Sequence, residues 1–268
     1  DASSDRTWER LKIHAAADPR IQLHQNSNNQ GYNQNFSQSC ERVTTPLLAF
    51  ADQDDLWHEE KIERLVLALE KNSPLIYCDS RSFTGNSPQT TTPKSLYQRF
   101  EGNNILRLCL FNTVNGHAIL ARTDFIKETL PFPSQLFYDW YIAGRAALEG
   151  GVQYLPALLV YQRMHTSNAS VFGEKTGQKK TKLLHMAAVR EHCKVFAKSP
   201  GIQERSLALL QQWIACLDSL INQRKAWPAF IFMMQHRKDL FFYKKRKIGW
   251  PSHFKHAIRL IKTHLQHN

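Results

Sequence analysis

Three carboxylates fall within four positions of the segment FADQDDLW (50–57), which contains Asp52, Asp54 and Asp55. The apolar run PLLAF (46–50) precedes them and is suited to a buried strand. Closely spaced carboxylates repel one another and resist burial, so this turn favours a bound positive charge. Mg²⁺ and Mn²⁺ prefer oxygen ligands and commonly bind one or two carboxylates together with substrate phosphates. One hypothesis is therefore a D-x-D metal site that holds a nucleotide diphosphate.

The acidic turn allows two other interpretations. It could be a solvated turn without a ligand, in which Asp55 caps the helix that follows. It could also be a calcium-binding EF-hand loop starting at Asp52. That loop would place Leu56 and Trp57 at its fifth and sixth positions, where an oxygen ligand and a glycine are required. The residue types therefore argue against the EF-hand.

The elements around the acidic turn predict an α/β domain. The strand at 46–51 is followed by a helical pattern at 58–72 and by a second apolar run at 74–79. The apolar positions of the helix are Ile62, Leu65, Val66 and Leu69. A strand–helix–strand unit is typical of a mostly parallel sheet, in which ligands bind beyond the carboxyl ends of the strands. Both the acidic turn and Asp79 are expected at such ends.

Further strands are predicted at 20–25, at 112–123 and, as one or two strands, at 152–165. A helix closed by glycines is predicted at 138–151, with Asp139 at its start. From residues alone, Asp139 is a helix cap.

Charge divides the chain near residue 175. Residues 1–174 carry a net charge of −3, whereas residues 175–268 carry +15. We therefore predict an N-terminal domain over 1–174 and a basic helical region over 175–268. The five cysteines are scattered without a C-x-x-C pair, which argues against a disulfide framework or a structural zinc site and favours a cytoplasmic location. The sequence offers neither a signal peptide nor an apolar run long enough to span a membrane.

The basic region allows three uses. It could pack on the N-terminal domain, or hold the protein at the inner face of the cell membrane, or bind nucleic acid. For the membrane, the helix at 252–266 would present one apolar face beside the basic run YKKRK (243–247). That face consists of Phe254, Ile258, Ile261 and Leu265. No RNA- or DNA-binding motif accompanies the charge, so nucleic acid is not expected as a partner.

Five segments in the expected order resemble family-2 glycosyltransferases of the GT-A fold, especially the bacterial rhamnosyltransferase-like branch. The segments are DASSDRT (1–7), NNQGYNQNF (28–36), FADQDDLWHEEKIERL (50–65), NTVNGHAIL (112–120) and the stretch from LPFPSQLFYDW (130–140) to YQRMH (161–165). The resemblance covers residues 1 to about 170. It implies a Rossmann-like GT-A domain with a mixed, mostly parallel sheet. Such a domain transfers a sugar from a nucleotide diphosphate sugar to a glycan or lipid-linked acceptor, with inversion, in cell-surface polysaccharide synthesis.

The resemblance also implies roles for individual residues. Asp1 would contact the nucleotide base, and Asp52 would contact the ribose or the metal. Asp54 would be the main ligand of a Mg²⁺ or Mn²⁺ ion, with His165 as a further ligand or phosphate contact. Asp139 would be the general base that deprotonates the acceptor hydroxyl.

Two glycines complete the set of residues that the resemblance assigns to the nucleotide sugar. Gly31 lies in the N-x-G turn, and Gly116, followed by His117, lies at the end of the acceptor-side strand, where a sugar could approach the backbone. The rhamnosyltransferase-like resemblance suggests dTDP-rhamnose as the donor.

The first strand, helix and second strand of the family are not found in this sequence. Without them the sheet is expected to lose central strands and to expose apolar surface. A second hypothesis is therefore a protein that is not an enzyme: a truncated, non-catalytic glycosyltransferase-like protein that binds partners or membranes without turnover.

Overall fold

The computed structural model describes residues 1–88, 97–164, 186–244 and 249–266. The helices in these ranges are α1 (Thr7–Ala17), α2 (Tyr32–Glu41), α3 (Lys61–Ala68), α4 (Thr123–Glu128), α5 (Tyr138–Glu149), α6 (Met186–Ala197), α7 (Glu204–Gln223), α8 (Ala226–Gln235), α9 (Arg237–Leu240) and α10 (Gly249–Gln266). The strands are β1 (Leu47–Ala49), β2 (Leu56–Trp57), β3 (Leu75–Phe83), β4 (Ile119–Arg122) and β5 (Val152–Arg163). Short 3₁₀ turns span Ile105–Leu108 and Gly116–Ala118.

The five strands form one mixed sheet in the order β1-β4-β3-β5-β2. This confirms the predicted α/β class with a mixed sheet. The expected predominance of parallel pairs is wrong for the described strands, because only β3 and β5 run parallel and the other three pairs are antiparallel. Apolar runs in a sequence mark buried strands but carry no information about strand direction.

The parallel pair β3–β5 is bent by irregular register. Cys78 pairs with Leu155, but the next residue, Asp79, pairs with Leu158. The skipped stretch contains Pro156, which has no backbone N–H to donate to a ladder and is therefore tolerated at a bulge. The expected one or two strands at 152–165 are thus a single long strand with a bulge.

The antiparallel pair β1–β4 determines where the acidic turn lies. Ala49 at the end of β1 pairs with Leu120 near the start of β4. The segment that follows β1 therefore lies beside the segment that precedes β4. The first contains Asp52, and the second is the turn Gly116–Ala118. The strand predicted at 112–123 is accordingly confined to Ile119–Arg122, and its first part forms this turn instead.

The first thirty residues make few contacts with the core. Helix α1 has no buried residue, and Ile13 is 69% exposed. The strand predicted at 20–25 is not formed, because this segment has no strand partner among the described residues. An alternating pattern becomes a strand only where a neighbouring strand accepts its hydrogen bonds.

Helix α3 buries a different side from the predicted one. Leu65 is fully buried, as expected, but Ile62 and Val66 are exposed. Lys61, at the start of the helix, is fully buried in their place. The orientation of α3 therefore places a cation beneath the acidic turn that precedes the helix.

Helices α6–α10 pack on the N-terminal domain, and residues from both sides of the predicted boundary form one hydrophobic cluster. The Phe196 ring of α6 lies against Gly144 of α5, and the His192 ring lies 4.7 Å from that of Trp140. The predicted helical character of the basic region therefore holds for its described residues. The division at residues 174 and 175 itself stays a prediction.

The expected lipid-facing side of α10 is wrong. Ile261 is buried, and Leu265 and Ile258 are partly buried, because this side of α10 packs within the hydrophobic cluster. Amphipathic periodicity shows that one face is covered but not what covers it. None of the helices in the described ranges combines the length and apolar character that crossing a membrane requires.

Candidate functional site

The acidic turn and the turn before β4 bring two carboxylates and an imidazole together. His117 Nδ1 lies 3.3 Å from Asp55 Oδ2 and 3.6 Å from Asp52 Oδ2. All three ligand atoms lie within 4.8 Å of one another. The antiparallel pairing of β1 and β4 produces this group from residues more than sixty positions apart. We call Asp52, Asp55 and His117 the acidic–imidazole group.

Asp55 is the most buried carboxylate of the group, with a side chain that is 1% exposed. Its Oδ1 accepts a hydrogen bond from the backbone N–H of Arg163 at 3.0 Å, which ties the acidic turn to the end of β5. Within the described chain, its Oδ2 has no hydrogen-bond partner. Burial raises the pKa of Asp55, although the nearby His117 acts in the opposite direction. Asp55 is therefore not the helix cap considered above, and α3 begins at Lys61, six residues later.

Lys61 supports the group from below. Its Nζ donates a hydrogen bond to the backbone carbonyl of His117 at 2.7 Å and lies 3.2 Å from the centroid of the Trp57 ring. Burial lowers the pKa of Lys61 to about 8, while Asp55 and Asp52 favour its charged form. This cation both fixes the turn that carries His117 and offsets part of the negative charge above it.

Asp54 occupies a different position from its two neighbours. Its carboxylate is not a member of the acidic–imidazole group, and its backbone carbonyl accepts a hydrogen bond from Arg163 Nε at 3.1 Å. His165 lies outside the described residues. The predicted roles of Asp54 and His165 as metal ligands therefore stay predictions.

Asp139 lies in the first turn of α5, beside the acidic–imidazole group. Its Oδ2 accepts a hydrogen bond from the backbone N–H of Gly116 at 3.2 Å, and its Oδ1 accepts one from that of Trp140 at 2.6 Å. Burial raises the pKa of Asp139 to about 6, although both hydrogen bonds favour the carboxylate. A carboxylate with this pKa is a stronger base than an exposed one at neutral pH.

Gly116 is required by a close approach. A Cβ atom at this position would lie 2.1 Å from the hydroxyl of Tyr138. The absence of a side chain therefore lets the N-terminus of α5 pack directly on the turn that carries His117. This contact sets the position of Asp139 relative to the acidic–imidazole group.

Asp1 and Gly31, both predicted to contact the nucleotide sugar, lie in direct contact. Asp1 Oδ2 accepts a hydrogen bond from the backbone N–H of Gly31 at 3.0 Å, and Oδ1 accepts one from that of Gln30 at 2.9 Å. Gly31 has a φ of +78°, which a residue with a side chain rarely adopts. Tyr32 follows directly, and burial together with the charge of Asp139 raises its pKa. The Asp1–Gly31 turn therefore leads to the same side of the domain as Asp139.

Asp79, expected at a strand end near the ligand, is occupied by protein groups. Its Oδ1 accepts a hydrogen bond from Arg99 Nε at 2.6 Å, and its Oδ2 accepts one from the Tyr154 hydroxyl at 2.7 Å. Asp79 thus stabilises the packing between β3 and β5.

The acidic–imidazole group suits a divalent cation. Adjacent oxygen or nitrogen ligands of an octahedral ion at about 2.1 Å lie about 3 Å apart, close to the separations within the group. Asp55 Oδ2, which faces His117 Nδ1, is buried without a hydrogen-bond partner among the described residues. Two carboxylates fit Mg²⁺ and Mn²⁺, and the imidazole favours Mn²⁺ of the two.

His117 is the member that sequence reasoning assigned only to the acceptor side. No spacing rule connects a histidine at 117 with aspartates at 52 and 55. The available signal was its position next to Gly116 at the start of a strand, which marks a close backbone approach.

Residues 1–130 match a family model described as glycosyl transferase family 2. This range contains the acidic–imidazole group and the Asp1–Gly31 turn, and it ends nine residues before Asp139. The resemblance seen in the sequence motifs is thereby confirmed for the matched residues. A comparison with curated proteins finds no match.

Solved structures support the fold. A structure of residues 1–349 of S. aureus TarS is 11% identical, with a TM-score of 0.53, and the match covers 100% of this chain and 81% of the other. A second S. aureus TarS structure is 12% identical, with a TM-score of 0.55, and the match covers 98% of this chain and 48% of the other. A mannosyltransferase from Pyrobaculum calidifontis, in complex with GDP-Man and Mn²⁺, is 16% identical with a TM-score of 0.49, and the match covers 98% of this chain and 75% of the other. The likeness to the two TarS structures agrees with the predicted GT-A fold.

Proposed function

Because residues 1–130 match glycosyl transferase family 2, we propose that this protein transfers a sugar from a nucleotide diphosphate sugar to an acceptor hydroxyl, with inversion. The observation that carries the proposal is the acidic–imidazole group beside Asp139. It combines a candidate cation site, which would stabilise the leaving diphosphate, with a candidate base, which would activate the acceptor hydroxyl.

Asp52, Asp55 and His117 would hold a Mg²⁺ or Mn²⁺ ion together with the diphosphate, and Asp54 and His165 are the further ligands that the motif resemblance implies. When bound, the ion would neutralise the negative charge that develops on the departing diphosphate. Lys61 fixes the position of His117 by donating a hydrogen bond to the backbone carbonyl of His117. The backbone N–H of Arg163 fixes Asp55 by donating a hydrogen bond to its carboxylate. The protein thereby supplies a prearranged set of ligands.

Asp139 would accept the proton of the acceptor hydroxyl as the hydroxyl oxygen attacks the anomeric carbon. The backbone N–H groups of Gly116 and Trp140 orient its carboxylate. Its partial burial raises its pKa toward neutrality, which suits a base that must take up a proton and later release it.

Asp1, Gly31, Asp52 and Gly116 are the residues proposed to contact the nucleotide sugar. The hydrogen bonds between Asp1 and the Gly31 turn support a shared role for these two residues. The donor dTDP-rhamnose, the glycan or lipid-linked acceptor and a place in cell-surface polysaccharide synthesis follow from the rhamnosyltransferase-like motifs and belong to the same proposal. The same proposal includes the division of the chain into a 1–174 domain and a 175–268 region. It also includes a location at the inner face of the cell membrane.

Thermal unfolding with Mn²⁺ and a panel of UDP, dTDP and GDP tests the proposal. We expect one nucleotide to raise the melting temperature, and only when Mn²⁺ is present. A folded protein that responds to none of the three would support the non-catalytic alternative.

Two matched variants then compare the proposed ligands. Asp55→Asn tests the acidic–imidazole group, and Asp54→Asn tests the ligand implied by the motif. If the nucleotide-dependent shift in melting temperature is lost in Asp55→Asn and retained in Asp54→Asn, the acidic–imidazole group holds the ion without Asp54. Loss of the shift only in Asp54→Asn would overturn the assignment of Asp55.

A further inference from the structure

A row of aromatic rings crosses from α8 to α10 at the surface of the basic region. The Trp227 and Phe230 rings stack with centroids 5.4 Å apart, and Phe230 contacts Phe254 edge-on at 5.3 Å. Phe254 in turn contacts Trp250, with centroids 5.4 Å apart. We call Trp227, Phe230, Trp250 and Phe254 the aromatic row.

The ends of the aromatic row are open to solvent. Trp227 is 68% exposed and Trp250 is 57% exposed, and Ile231, one turn from Trp227 on α8, is 39% exposed. The opposite sides of both helices are buried, with Phe232 of α8 and Leu260 of α10 inside the hydrophobic cluster. Helices α8 and α10 therefore each bury one apolar face in the core, and the aromatic row lies on another face of the same two helices. Exposed apolar patches of this kind mark interaction sites.

The described segments that carry the aromatic row are rich in positive charge. Residues 224–244 and 249–266 contain eight lysines and arginines but a single acidic residue, Asp239. That aspartate forms an ion pair with Arg107 at 3.1 Å, so part of its charge is neutralised within the protein. Lys225 and Lys255, which flank Trp227 and Phe254 in the chain, are exposed. A partner that covers this surface must therefore accept both aromatic rings and a positive field.

We propose that the aromatic row and its basic surroundings bind the surface of an anionic phospholipid bilayer. Tryptophan side chains favour the boundary between headgroups and hydrocarbon, and lysines and arginines beside them attract anionic headgroups. Single-stranded nucleic acid also combines negative charge with stacking, but Trp227 already has one ring face covered by Phe230. Ile231 adds an aliphatic group that hydrocarbon accommodates and that a stacked base does not.

This inference differs from the membrane contact predicted from the sequence. The sequence predicts that the bilayer covers the face of α10 that contains Phe254, Ile258, Ile261 and Leu265, but Ile261 is buried within the protein. The aromatic row retains only Phe254 of that face and combines it with Trp250 of α10 and with Trp227 and Phe230 of α8. The proposal does not depend on sugar transfer, so its test needs neither a nucleotide nor a metal.

Flotation of the 268-residue chain with lipid vesicles tests the proposal. We expect the protein to float with vesicles containing phosphatidylglycerol, to float about tenfold less with pure phosphatidylcholine, and to be released by high salt. Trp227→Ala/Trp250→Ala should weaken binding about tenfold or more, and Lys225→Gln/Lys255→Gln should weaken binding to the anionic vesicles alone. The matched control is Ile13→Ala/Leu67→Ala, which removes two exposed apolar residues remote from the row in sequence. Melting temperature confirms that each variant is folded.

Three results would overturn the proposal. The double tryptophan variant could bind vesicles as well as the unaltered protein does, or binding could ignore the headgroup charge. In the third result, the protein would not float with vesicles but would bind single-stranded DNA or form a dimer, and the tryptophan substitutions would abolish that binding. The aromatic row would then bind that partner instead of a bilayer.

Discussion

Asp139 shows how position changes the chemistry of one residue. In the sequence it is an aspartate at the start of a helix, where a capping role is common. In the structure its carboxylate accepts hydrogen bonds from Gly116 and Trp140, and its pKa is raised to about 6 by burial. Only the folded chain brings it beside Asp52 and His117.

If Asp139 is the base, Asp139→Asn should lower kcat/KM about 100-fold or more, because general base catalysis contributes roughly that much. In the unaltered protein, kcat/KM should fall tenfold for each pH unit below about 6, as the carboxylate becomes protonated. Steady-state assays across pH check both expectations. Asp124→Asn, which changes an exposed aspartate on α4, is the matched control. Retained activity in Asp139→Asn would remove Asp139 from the mechanism.

The sequence indicates part of the candidate site and misses the rest for a definable reason. Three carboxylates in four positions after an apolar run are visible as a pattern, and they lie where expected, after β1. His117 is not visible as a ligand because it joins Asp52 and Asp55 only through the antiparallel pairing of β1 and β4. Strand direction and partner choice depend on tertiary packing, which a run of apolar residues does not encode.

At the level of elements, the contact between α5 and α6 joins the site-bearing domain to the basic region. Helix α5 carries Asp139 at its first turn and Gly144 on the side that faces α6. A Cβ at Gly144 would lie 2.1 Å from the Phe196 ring. The small residue lets the two helices approach closely, and composition alone gives no sign of that requirement.

Gly144→Ala should therefore destabilise the protein by about 1–2 kcal/mol, because crowding outweighs the gain in helix propensity. Chemical denaturation measures the loss. In the Phe196→Ala background, Gly144→Ala should lower the free energy of unfolding only slightly, because the phenylalanine ring that the new Cβ would meet is absent. The effects of the two substitutions should therefore be strongly non-additive. Gly249→Ala, where a Cβ meets nothing within 4 Å, is the control. Additive losses would mean that the two helices do not depend on this contact.

Across the whole molecule, the near-neutral domain and the basic region share one hydrophobic cluster. The predicted boundary near residue 175 lies outside the described residues, and described residues on both sides of it pack in this one cluster. Helix periodicity predicts the helices on both sides, but it cannot indicate that the apolar face of α10 is covered by other helices of the same chain.

His192, buried between the two regions, should make the stability of the whole molecule depend on pH. Burial lowers its pKa to about 4. Its neutral form fits the folded state, so its contribution is present above about pH 6.5 and is lost as the pH falls toward 4. The free energy of unfolding should fall by up to about 3 kcal/mol, because the pKa of His192 is lowered from 6.5 to about 4 in the folded state. Urea denaturation between pH 4 and 7 should show this loss in the unaltered protein and in the control His24→Gln, but not in His192→Gln. Equal pH dependence in all three proteins would contradict it.

We expect the acidic–imidazole group to bind a divalent cation together with a nucleoside diphosphate. Titration of Mn²⁺ followed by electron paramagnetic resonance, with and without UDP, dTDP or GDP, tests it most directly. We predict one Mn²⁺ ion per chain, bound at least tenfold more tightly with one of the nucleotides, and a loss of at least tenfold in affinity in Asp55→Asn. Unchanged Mn²⁺ binding in Asp55→Asn, or no Mn²⁺ binding by the folded protein with any of the three nucleotides, would contradict the claim.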